Sequence, residues 1–496
     1  MLEFDIVVYL SDFLSNKDFI NLSLICKDYR KILFTEYCLK NRLFILKKGI
    51  KNLRFIENLS YKIYKLDLNS NKNLKDEDFE ILRGINTLNM SNCNQETITD
   101  KAFEYLGGIN TLNMSCCTQK TITDRAFENL KNIYDLDMSF CNQNTITDNA
   151  FENFKGIHTL NMSYCTQKTI TDRAFENLKG IHTLNMSCCT QKTITDRAFE
   201  NLKNIYDLDM SFCNQNTITD NAFENLKGIH TLNMKYCYQN TITDRAFSNL
   251  RGIRKLYMDS CNQNTITDNA FENLKGIHTL NMSYCNQNTI TDRAFGGLKG
   301  IHTLFMSWCN QDTITDNAFH NLQGIYSLDM SNCNQQTITD NAFKNLKGVN
   351  TLNINYCNQK TITDKAFKYL LNIVSLDMSG CRQKTVTNKA FKYLQNIKNL
   401  NIGNCDQITD KGFKYFINLS KLDIHGCKQE TITDNAFKYL KNLHTLNMSF
   451  CTQKTITNKA FQNLNNISRL NVFHCSDNIK KYSLMLKKEH VFTLIY

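Results

Sequence analysis

Cysteine and histidine recur in this 496-residue sequence at positions regular enough to do chemistry. Seventeen of the 21 cysteines share one register, 24 residues apart from Cys93 to Cys405 and then, after one step of 22, at Cys427, Cys451 and Cys475. Six histidines share another, at His158, His182, His230, His278, His302 and His444. Thiolates and imidazoles are nucleophiles and metal ligands, so a zinc site or a redox array is the first chemistry to consider. The spacing argues against both. The cysteines recur singly, without CxxC pairs, and make up only about 4 per cent of the chain, far below a disulfide scaffold. Asn, Tyr, Ser and Val alternate with His in its register, which suits a solvent-facing stripe better than a ligand set. No phosphate-binding loop, dinucleotide fingerprint or zincin motif occurs. No catalytic residue, metal ligand or cofactor is expected.

The elements that place these residues follow from the period. A fixed repeat between 20 and 50 residues is the signature of a solenoid, in which each unit packs only on its neighbours. Residues 111–153 and 183–225 are identical, so the array grew partly by tandem duplication. In residues 276–298, Leu280 and Met282 alternate with Thr279, Asn281 and Ser283, the period of a half-buried strand. Cys285 then turns the chain inward as a small buried hydrophobe. Ile290 enters the core, Thr291 is placed as a helix N-cap, and Asp292 stands in the first turn where the helix dipole favours an acid. Ala294, Phe295 and Leu298 supply an apolar face, and Gly300 ends the helix.

The pattern LxxLxMSxCxQxTITDxAFxxL resembles the cysteine-containing class of leucine-rich repeats over about 66–476, some 18 units. The resemblance implies an α/β leucine-rich-repeat solenoid, curved, with parallel strands on the concave face and helices on the convex face. The expected organisation is a helical region at 1–46, a linker or cap at 47–65, the array at 66–476 and a C-terminal cap at 477–496.

Residues 1–46 obey a different rule, with apolar residues on helical faces and Ser15 and Asp18 approximating a capping box. One reading is a cap that shields the first repeat. The order of residue types also resembles an F-box, with Glu3 where proline is usual and Tyr29 where tryptophan is common. That resemblance implies that Leu2, Ile6, Val7, Leu10, Leu14, Leu22, Ile25 and Tyr29 dock a Skp-type adaptor. The repeats would then present a protein substrate to a cullin-type ubiquitin ligase. The alternative is a repeat-only interaction scaffold without ubiquitin chemistry.

The N-terminus lacks the basic residues of a signal peptide, and no apolar run is long enough to span a membrane. A cytoplasmic protein without membrane partners is expected, in the host cytoplasm if viral. The absence of proline and the abundance of Asn, Lys and Ile are what an AT-rich genome writes, such as that of an amoeba or of a virus infecting one. Residues 341–496 hold 23 Lys and Arg against 9 Asp and Glu, a net +14, so residues 1–340 come to −3 of the overall +11. An acidic partner or nucleic acid would suit that charge, but lysines spread over solvated helices explain it more simply, and nucleic acid is not expected as the partner.

The repeats also mark where they fail. Four residues before the cysteine nearly every unit has Asn or Asp, but two have Tyr257 and Phe305. Arg254, Lys255 and Asp259 surround the first, and Trp308, the one tryptophan, lies beside the second. Aromatic and arginine residues on an open sheet face are what binding surfaces are built from. These six are the expected ligand-binding residues.

Overall fold

The computed structural model describes residues 15, 42–45, 63–477, 479–480 and 493–495. The proposed adaptor-docking residues at positions 2–29 lie outside that range. The chain forms two compact units, one ending at Asn233 and the other starting at Met234.

In the first unit, three-residue strands run from Leu43–Ile45 and Lys65–Asp67 to Thr231–Asn233. Consecutive strands pair in parallel and in exact repeat register, so Leu112 lies beside Leu136 and Leu136 beside Leu160. The second unit repeats the arrangement from Lys255–Tyr257 to Arg469–Asn471, and Thr493–Ile495 closes it. The shortened unit at 405–427 keeps the register, with Leu400 beside Leu422, because its two missing residues come from the loop. The fold is an α/β leucine-rich-repeat solenoid.

In the strand Thr279–Asn281 the central Leu280 points inward, as does Met282 just after it. Leu280, Met282, Cys285, Ile290, Ala294, Phe295 and Leu298 are all essentially fully buried, and their equivalents form columns through each unit. A single repeat has nothing to bury these side chains against. The residue before each cysteine takes a left-handed conformation, at φ 62° for Tyr284 and 61° for Trp308. That conformation costs a non-glycine residue about 1 to 2 kcal/mol. It is held by the neighbouring repeat, since the Trp308 N–H donates to the Ser331 carbonyl at 3.0 Å.

The helices are shorter than the apolar spacing suggests. Of the 17 described helical segments 12 are 3-10, and eight of those are single four-residue turns such as Asp124–Phe127 and Asp148–Phe151. A 24-residue repeat leaves four to seven residues for this side, as in Asp124–Phe127 and Asp292–Leu298, so the segments stay short. The expected cap is present, with Thr291 accepting from the Arg293 N–H at 3.2 Å. Gly300 ends the turn at φ +85°, where a side chain would be strained.

Candidate functional site

The cysteine register is structural. Cys285 is fully buried and its thiol donates to the Met258 carbonyl at 3.1 Å. Burial pushes this thiol up to about 12, where no thiolate is available for chemistry. Beneath it lies a row that sequence reasoning missed. Gln287 and most of its equivalents are buried, and the Gln287 side-chain amide donates to the Cys261 carbonyl at 3.2 Å. The signal was present, since glutamine stands two residues after each of these cysteines from Cys93 to Cys451. Among the described residues, no group of three or more Cys, His, Asp or Glu could hold a metal ion.

The histidine register is a stacked column. In the first unit Tyr134, His158, His182, Tyr206 and His230 follow one another with ring centroids 4.5 to 4.7 Å apart. In the second, His278, His302 and Tyr326 stack at 4.5 and 4.8 Å. The sequence showed histidines and tyrosines sharing one solvent-facing register, but not that their rings stack. Strand spacing brings equivalent side chains into ring-stacking distance whatever their type. The His278 imidazole is held below its usual value, chiefly by desolvation and then by His302, Arg254 and Lys255.

The six residues singled out on the sheet face fall together within the second unit. Strands Lys255–Tyr257, Thr279–Asn281 and Thr303–Phe305 are neighbours, and Tyr257 and Phe305 flank Asn281 in register. Arg254 and Lys255 are exposed at the start of the first strand, and the Arg254 guanidinium donates to the Gly276 carbonyl at 3.3 Å. Trp308 is exposed at the other edge and stacks on Tyr284 at 5.7 Å. Asp259 departs from expectation. It is only 6% exposed, 2.9 Å from the Lys235 ammonium, and it accepts from the Asn281 side chain at 3.2 Å. It ties the site together from below and offers little to a ligand. Lys235, its pKa raised by that bond, was missed because a single lysine in a lysine-rich chain carries no signal.

The Asn and Asp row itself has work to do. Asn281 accepts from the Ser283 N–H at 3.0 Å and Asp329 from the Ser331 N–H at 2.9 Å, closing the turn after each strand. Phe305 has no polar atom to close its turn, and the Tyr257 hydroxyl lies at the far end of a rigid ring. These two repeats give up a local hydrogen bond and gain an aromatic surface.

A hollow on the sheet face, of about 280 Å3, is lined in part by Asp377, Asn401, Lys421, Asp423 and Asn447. At its edge the His425 ring lies 2.8 Å from the Asp423 carboxylate. A Cβ on Gly403 would meet that ring at 2.2 Å, so the glycine makes room for it. Among the described residues, no helix is long and apolar enough to cross a membrane.

This geometry defines a leucine-rich-repeat protein. The chain belongs to the BspA-type leucine-rich repeat family, whose description matches six times, at 48–182, 120–254, 192–326, 240–374, 312–443 and 360–489. Similar solved structures include the TLR13–ssRNA13 complex, with 17% identity, TM-score 0.61, 94% of this chain and 76% of the other covered. They also include the Toll–Spatzle complex of Drosophila, at 14% identity and TM-score 0.61, over 87% of this chain and 60% of Toll. A leucine-rich-repeat protein of Leptospira interrogans matches at 16% identity and TM-score 0.50, over 91% of this chain and all of the other. At these identities the likeness is one of fold. No match was found among curated proteins.

Proposed function

We propose that this chain is a non-enzymatic protein-binding scaffold whose partner docks on the sheet face around Arg254, Lys255, Tyr257, Phe305 and Trp308. The observation that carries the reading is the exchange at Tyr257 and Phe305. Repeats on either side use this residue to close their own turn, as Asn281 and Asp329 do. Where a sequence breaks its own local rule without a structural gain, function is the usual reason. Toll in complex with Spatzle is an instance of this fold holding a partner.

The experiment is the double variant Tyr257→Asn and Phe305→Asn, with affinity purification by the full chain identifying the partner. Both substitutions restore the residue type of the array, so stability should hold or rise while partner affinity falls by more than about tenfold. Unchanged affinity would sink this site.

The ubiquitin-ligase reading is finer and rests on the order of residue types at 2–32 alone. If it holds, the full chain captures a Skp-type adaptor and Ile6→Asp or Leu10→Asp abolishes capture, because an apolar docking face cannot accept a carboxylate. A chain that captures partner but no adaptor is a scaffold only.

A further inference from the structure

The helix side of the second unit carries a surface that the sheet-face reading does not use. The residue after each buried phenylalanine is exposed there. In the first unit it is Glu128, Glu152, Glu176, Glu200 and Glu224, whereas further along it is Lys344, Lys368, Lys392, Lys414 and Lys438. One register therefore inverts its charge through five consecutive repeats. The next residue is asparagine after each of those five glutamates and after Lys344, but tyrosine at Tyr369, Tyr393, Tyr415 and Tyr439. A further row of exposed lysines, Lys365, Lys389 and Lys411, runs alongside.

Acids offset only part of this charge, since residues 341–441 hold 16 Lys and Arg against 7 Asp and Glu. Asp340, Asp364 and Asp410 belong to the same turns, but their carboxylates are engaged by Thr363, Thr387 and Thr433 of the following repeats. Among the described residues none of these lysines is ion-paired. Lys344, Lys365, Lys368 and Tyr369 line a groove of about 320 Å3 together with Asp340, whose carboxylate is held by Thr363.

Two features choose among polyanions. Lys368, Lys392 and Lys414 each lie over the ring of the tyrosine that follows, at 4.8, 4.7 and 5.0 Å. Those three rings are half-buried and already covered, so they are poor platforms for stacking nucleic-acid bases. The second feature is aliphatic. The register that holds Lys131, Lys155 and Lys179 in the first unit holds Leu371 and Ile417 here, 58% and 54% exposed. Exposed aliphatic side chains set among lysines suit the boundary between lipid headgroups and acyl chains.

We propose that the helix face of residues 341–441 docks on an anionic lipid bilayer, its lysines on the headgroups and Leu371, Ile417 and Tyr439 in the interfacial layer. This differs from the expectation of a chain without membrane partners. The docking is peripheral and electrostatic, and it leaves the sheet face free.

The test is co-sedimentation of the full chain with phosphatidylcholine vesicles, with and without phosphatidylserine. Binding is expected only with phosphatidylserine and should weaken with salt. The variant K368E/K392E/K414E installs the residue that this register carries at 128–224, so it should fold and lose binding by more than about tenfold. The variant L371K/I417K installs the usual lysine and adds two positive charges. The proposal expects its binding to fall nevertheless. Binding that rises or stays level with L371K/I417K would overturn it in favour of a general polyanion surface. So would a chain that ignores vesicles but holds a single-stranded oligonucleotide through the same lysines.

Discussion

The carboxylate of Asp292 accepts two hydrogen bonds from Thr315 in the next repeat, from its backbone N–H at 2.7 Å and from its hydroxyl at 2.6 Å. The same hydroxyl oxygen accepts from the Asn317 N–H at 3.2 Å, capping the following turn. Asp292 therefore orients the cap of its neighbour, and the Thr-Ile-Thr-Asp phrase is a clasp between repeats as much as a helix start. Asp124 and Asp268 clasp Thr147 and Thr291 in the same way.

Removing one clasp should loosen two repeats. Asp292→Ala is expected to cost about 2 to 4 kcal/mol, the loss of two bonds to a charged acceptor. Asp292→Asn should cost far less. Asn388 already stands at this position, accepting from the Thr409 N–H and donating to its hydroxyl. Hydrogen exchange around Thr315 reads the difference locally, which a single unfolding midpoint of a long array would blur.

Thiol reactivity should separate two kinds of cysteine. Among the described cysteines only Cys116 and Cys188 are not buried. Native-state alkylation followed by mass spectrometry should label these two first. Cys285, buried with its thiol pushed up to about 12, should react only on unfolding. Rapid labelling of Cys285 would contradict its structural role.

The Asp423–His425 pair should make stability depend on pH in a defined window. The Asp423 hydrogen bond raises the His425 imidazole above its ordinary value, although desolvation opposes it. The folded state holds that proton more tightly, so the contribution is complete below about pH 6.5 and is lost as pH rises through the folded value. Burial would raise Asp423, but the His425 and Asn447 hydrogen bonds leave it lowered from 3.8. Its contribution is present above that value and is lost as pH falls through its folded value. The difference in melting temperature between the unmodified chain and His425→Ser should therefore be larger at pH 6 than at pH 8. Gly403→Ser displaces the ring and should erase that pH dependence.

His278 should titrate below an ordinary histidine. Desolvation lowers it first, then the neighbouring His302, Arg254 and Lys255. His302→Tyr places the residue found at Tyr206 and Tyr326 beside it, keeping the stack while removing the neighbouring imidazole. An NMR titration of the His278 ring should then move upward towards 6.5. No movement would mean that His302 contributes nothing to the shift.

The sequence by itself determined the repeat, the strand, the buried thiol and the threonine cap, because each depends on spacing within 24 residues. Leu280, Met282, Cys285 and Thr291 were legible for that reason. It also located Tyr257, Phe305 and Trp308, since a departure from a regular array is visible without a structure. Only the tertiary structure decided what happens between repeats. The Asp292–Thr315 clasp, the Gln287 bond to Cys261 and the Tyr134–His230 column join residues 23 to 26 positions apart. Parallel strand stacking brings those residues to hydrogen-bonding or stacking distance, and no local pattern encodes that contact. The same stacking put Asp259 beneath the surface, beside Lys235, where residue type alone had placed it among the ligand contacts. It also gathered Lys368, Lys392 and Lys414 onto one face, where composition had shown only a basic segment.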